Sequence, residues 1–209
     1  MPGLNDLLSS PQGQQIISGL AGETGLPESK TASIVGMAMP LLLGALKKNI
    51  AAPQGAEGVI NALSTKHNGG ILDDLGGLFA GGVNPEVEAD GAGILGHVLG
   101  NKQPAVINSL SQQSGIDANS VARILKIAAP IVMGFLGKQK AGNKVGDADG
   151  LNTLLGSMLG GQPQENQSLI MNLIDSDGDG SVLDDVADMV MGSTKKKSGL
   201  GGLLGRFFR

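Results

Sequence analysis

The chain has 209 residues, 41% of them hydrophobic, with 35 Gly, four Phe and no Trp, Tyr or Cys. Leu, Ile, Val, Ala and Met must therefore build the core, which favours closely packed short helices over a sheet; a disulfide framework, a thiolate nucleophile and a Cys-type zinc site are excluded. The net charge of −4 is uneven, because Lys195, Lys196, Lys197, Arg206 and Arg209 give the last 15 residues +5 with no acid, which leaves −9 on residues 1–194.

The first residues, MPGLNDLLSS, lack the basic and apolar regions of a secretory signal, so the expected location is cytoplasmic. From Gln15 runs QIISGLAGETGLPESKTASIVGMAMPLLLGALKK. Its uncharged stretch, Thr31 to Leu46, is 16 residues long and contains Pro40, short of the ~20 a membrane span needs, and is expected to be a buried core helix. Setting Ile17 on Ile107 superposes this segment, without a gap, on VINSLSQQSGIDANSVARILKIAAPIVMGFLGK. The shift of 90 pairs Leu20 with Leu110, Gly25 with Gly115, Ile34 with Ile124, Pro40 with Pro130, Gly44 with Gly134 and Lys48 with Lys138.

Ile124, Ile127, Ala128, Ile131 and Phe135 draw one apolar helical stripe. Gly25 and Gly115 sit where helices should end in a left-handed residue. Asp117 is placed to N-cap the following helix, and Pro27 to occupy the first turn of the other copy. Pro40 and Pro130 should kink or break their helices at equivalent points.

A second match, at a shift of 111, lays VINAL (59–63) on IMNLI (170–174) and GILDDL (70–75) on SVLDDV (181–186). The chain thus divides into a helical unit at 1–82, an acidic junction at 83–90, a second unit at 91–192 and a basic tail at 193–209. In the junction, Asn84, Glu86, Glu88 and Asp90 could bind a cation weakly, with a solvated linker the preferred reading. His67 and His97 have no spaced partner for a metal or a nucleophile, so no enzyme is expected, and each reads as a surface or helix-end residue.

DSDGDGSVLDDV (175–186) has the pattern of an EF-hand-type loop, in which oxygen ligands at alternate positions, a glycine turn and a closing acid wrap a hard cation. Asp175, Asp177 and Asp179 fill the alternate positions, Gly180 makes the turn and Ser181 lends its carbonyl. Val186 stands where the closing acid belongs, so Asp185 closes the loop one residue early, Asp184 contributes, or a water completes it. Many protein oxygens favour Ca²⁺, with Mg²⁺ as the alternative. The competing reading makes these residues caps and turns. In the first copy, Ser64, Lys66 and Asn68 replace the three loop aspartates while Asp73 and Asp74 persist opposite Asp184 and Asp185, so only Asp175, Asp177 and Asp179 are distinctive of metal.

The doubled segment with its Gly-[Leu/Ile] turn, the proline-interrupted apolar helix and the DxDGDGSxxDD loop together resemble the bacterial family catalogued as domain of unknown function 937. The resemblance covers most of residues 1–192 and implies an all-α fold without implying an activity.

LAGETGLPESKTASIV and LSQQSGIDANSVARIL also read as helix-turn-helix units, which makes a nucleic-acid binder the alternative function. Lys30, Arg123 and Lys126 are too few bases on a body of −9 for that role. The tail KKKSGLGGLLGRFFR (195–209) holds two of the four Phe and is fitted to dock on a protein partner or an anionic membrane surface. The expected protein is a non-enzymatic, all-α binding or scaffold protein with a structural Ca²⁺-type site.

Overall fold

Why the chain is helical is visible at its helix ends. In the computed structural model, which describes residues 4–51 and 53–159, every regular element is helical and no strand occurs among the described residues. The elements are α1 Leu4–Ser9, α2 Pro11–Thr24, α3 Glu28–Asn49, α4 Pro53–Ser64, α5 Gly70–Asp73, α6 Leu75–Phe79, α7 Pro85–Leu99, a 3₁₀ turn Gly100–Lys102, α8 Gln103–Ser114, α9 Ala118–Gly142 and α10 Ala148–Leu159. Ser10 opens α2 by accepting from the Gly13 N–H at 3.1 Å. Asp117 opens α9 by accepting from the Ser120 N–H at 3.0 Å, and these bonds to Ser120 lower its pKa. Gly25 and Gly115 close α2 and α8 in the left-handed region, at φ 67° and 64°, each donating its N–H to the carbonyl four residues back. Pro27 lies one position outside the expected first turn, at the cap before Glu28.

Three expectations are corrected. Neither Pro40 nor Pro130 breaks its helix: α3 and α9 run through them. A mid-helix proline costs about 3 kcal/mol, and here both prolines are buried among packed helices, where tertiary burial outweighs a local defect. Residues 85–90 are not a linker but the opening of α7, whose cap Asn84 accepts from the Glu86 N–H at 2.9 Å ahead of Pro85 in the first turn. Finally, α3 and α9 have 22 and 25 residues, because the charged flanks of the apolar runs are also helical, and by length and composition both could cross a membrane. Of their apolar windows, 67% and 78% are buried within the protein, as in core helices.

The core is aliphatic, as the composition requires. α9 is its hub, buried almost without interruption from Ile127 to Gly137 and touching α2, α3, α4, α5, α7, α8 and α10. The whole stripe Ile124, Ile127, Ala128, Ile131 and Phe135 is buried. α3 packs beside it against α1, α2, α7, α8 and α10, so the hydrophobic cluster is continuous from Leu7 to Met158.

The most extensive contact between helices is that of α7 with α9. Pro130 has no N–H, so the Lys126 carbonyl lacks its partner within α9. Gly91 of α7 lies against that carbonyl so tightly that a Cβ would collide with the oxygen. Gly137 is a second such position, where a Cβ would run into the His67 carbonyl.

Candidate functional site

α4 carries an apolar stripe, Ala56, Val59 and Leu63, buried at helical spacing. It packs on α9 and α10, whereas α7 packs on α9, α3 and α8. A cleft of about 1020 Å³ opens between α4 and α7. Leu46 of α3 and Met133 of α9 line it together with Val59, Ile94 and Val98. Gly58 and Gly93 line its walls, and a Cβ at either would meet nothing within 4 Å. These two glycines thus leave width, in contrast to Gly91, which permits contact.

Both ends of the cleft are polar and bridged. At one end Lys66 Nζ lies 2.6 Å from Asp90 Oδ1; at the other Asn49 Nδ2 donates to the His97 carbonyl at 3.2 Å. Glu86 and Asp90, one helical turn apart on α7, both face the cleft. Glu88, between them, points away and meets Arg123 Nε at 3.0 Å. The helix therefore disperses the residues read as a weak cation site: Asn84 caps, Glu88 and Asp90 pair with bases, and the Glu86 carboxylate has no partner among the described residues.

His67 is not a surface residue. Only 7% of its side chain is exposed, and its Nε2 lies 3.7 Å from Asp90 Oδ2, too far for a hydrogen bond. Burial lowers its pKa from 6.5; Asp90 partly opposes the shift and Lys66 adds to it. The ring is therefore neutral at pH 7. Since the folded state holds the proton less tightly than the unfolded chain, stability is fully present above pH about 6.5. It falls as pH drops below that value and levels off beneath the folded-state pKa. Between pH 8 and 5 the melting temperature of wild type should fall more than that of His67→Asn, and equal slopes would contradict this assignment.

The approach of His67 to Asp90, and its convergence with His97 on one cleft, have no sequence signal, since His67 lies in the loop after α4 and the other two on α7, at no characteristic spacing. His97 is exposed in the last turn of α7. No hydroxyl or thiol side chain lines the cleft. Among the described residues no group of three or more His, Cys, Asp or Glu is arranged to hold a metal.

Asp175, Asp177, Asp179, Ser181, Asp184 and Asp185 lie outside the described residues, as does the tail 195–209. The residues that the shift of 111 sets opposite the loop acids are described, and each has a protein partner. Ser64 Oγ accepts from Lys140 Nζ at 3.0 Å, Lys66 pairs with Asp90, and Asn68 Oδ1 accepts from the Gly70 N–H at 3.2 Å. Asp73 pairs with Lys138 at 2.8 Å, and Asp74 N-caps α6 through the Gly77 N–H, also at 2.8 Å. The acid pair thus serves as an ion-pair partner and a cap, not as two first-turn acids of one helix.

The bases of the helix-turn-helix alternative are placed as follows. Arg123 donates to the Glu23 carboxylate at 2.9 Å, the Glu23 carbonyl at 2.6 Å and Glu88 at 3.0 Å, tying α2, α7 and α9 together. α3 and α9, the helices that would have to enter a groove, are the two central helices of the core.

A family model described as bacterial protein of unknown function (DUF937) matches residues 6–139 and 143–208. The chain belongs to that family. No curated relative and no solved structure matches it.

Proposed function

We propose that this DUF937 protein is a non-enzymatic helical binding protein whose α4–α7 cleft takes an apolar ligand. The observation that carries this reading is the cleft: about 1020 Å³, with aliphatic side chains from α3, α4, α7 and α9, polar groups confined to its two ends and no hydroxyl or thiol side chain on its wall. Ligand sites of proteins have this form. With no Trp or Tyr in the chain, an added fluorophore is read without background. Nile red, a neutral apolar dye, should bind saturably to the full chain and lose that binding on Gly93→Leu, which fills the cleft where a Cβ meets nothing. Dye binding equal in the two proteins would remove the cleft from consideration.

The same reading includes an internal duplication, supported by the left-handed Gly25 and Gly115 and by Pro40 and Pro130 inside α3 and α9. It includes a structural Ca²⁺-type site at 175–186. Support comes from the first copy, where Lys140, Lys66 and the Gly70 N–H serve the positions aligned with Asp175, Asp177 and Asp179. Asp73 and Asp74 there have uses that need no metal. The motif's three alternate aspartates offer oxygens to a hard cation and repel one another without it. In the tail, five bases and two Phe match the chemistry of an anionic lipid surface. The full chain should pellet with vesicles containing phosphatidylserine and a chain ending at 194 should not; equal pelleting would rule out lipid.

A further inference from the structure

From the charges along the cleft we infer that its ligand is a small amphiphile with one cationic nitrogen, an aliphatic amine, seated with its nitrogen at the Glu86–Asp90 end and its chain along the apolar wall. This rests on the cleft being a binding site and adds what the ligand must be.

The lining carries three formal charges. Lys66 and Asp90 are paired at 2.6 Å and cancel, which leaves the Glu86 carboxylate, exposed and unpartnered among the described residues. An anionic head at this end would meet two carboxylates around a single lysine already engaged; a cation meets one free carboxylate and one whose second oxygen, 3.7 Å from the neutral His67 ring, is not hydrogen-bonded to it. The opposite end presents Asn49, Gln54 and His97, with no carboxylate, lysine or arginine among them. Between the ends, Ile94, Val98, Val59, Leu46 and Met133 supply only apolar surface. From Asp90 to Val98 the α7 wall runs about 12 Å at 1.5 Å per residue, enough for one medium aliphatic chain. Along that run the space over Gly58 and Gly93 is open, since a Cβ at either would meet nothing within 4 Å.

The test is calorimetric titration of the full chain with octylamine and with octanoate, in chelator and at low salt. Octylamine should bind with one-to-one stoichiometry and at least about tenfold more tightly than octanoate, the scale of a charge-assisted hydrogen bond. Glu86→Gln should remove most of that preference. Gly93→Leu should abolish saturable binding, whereas Gly96→Leu, on the same helix but outside the cleft lining, should leave it intact. If both probes bind equally and Gly93→Leu blocks both, the cationic assignment is overturned while the cleft stands. If octylamine only accumulates without saturation and Gly93→Leu changes nothing, it is neutralising the acidic body and both readings fall.

Discussion

Gly91→Ala is expected to destabilise the protein by about 2 kcal/mol or more, while Gly96→Ala, less than two turns further along the same helix, is expected to stabilise it. The two substitutions add the same methyl group to the interior of α7 and gain the same helix propensity, about 1 kcal/mol. At Gly96 the methyl group meets nothing within 4 Å; at Gly91 it collides with the Lys126 carbonyl oxygen. A side chain would rotate away, but this obstacle is the backbone of the central helix, so α7 must shift. Overpacking costs about 1–3 kcal/mol, with the upper part of that range expected against an immobile obstacle. For a chain of this size the net loss lowers the melting temperature by roughly 4–8 °C. The same shift would deform the α4–α7 cleft, so Gly91→Ala should also weaken dye binding. Denaturant unfolding of both variants checks the signs, and equal stabilities would contradict the close α7–α9 packing.

The second large effect is expected from the loop at 175–186. Ca²⁺ bound there and held at about 100 times its dissociation constant would stabilise the folded chain by about 2.7 kcal/mol. Calorimetry should record a Ca²⁺-dependent heat, and the melting temperature should rise with Ca²⁺. Asp175→Ala with Asp179→Ala should abolish both. Asp184→Ala alone should not, if that acid serves as Asp73, set opposite it by the shift of 111, does, as an ion-pair partner. Identical titrations and melting curves for wild type and double variant would remove the site.

What could be read in the sequence, and what could not, follows from the range of the forces involved. Helix ends are local: Gly25, Gly115 and Asp117 act through groups four or fewer residues away, and they act as expected. The α9 stripe is equally local in pattern and equally visible. The prolines mislead because their local cost is overridden by packing that involves distant helices. The start of α7 was written in Asn84-Pro85, a cap followed by a first-turn proline, but the acids after it draw attention to charge instead.

The cleft itself is a gap between two helices that each find better partners elsewhere, and no spacing along the chain encodes a gap. Nor does the sequence distinguish its glycines. Gly91 and Gly137 allow backbones to touch, Gly58 and Gly93 hold space open, and all four read alike in one dimension.

Binding of an apolar ligand in the cleft between α4 and α7 is tested most directly by methyl NMR of the full chain during titration with octylamine. Saturable shifts are expected at Met133, Ile94, Val98 and Val59, with the methyl groups of Ile16 and Ile34, in the core but outside the cleft lining, unmoved. Shifts that are absent from the cleft, or spread evenly over the molecule, would contradict it.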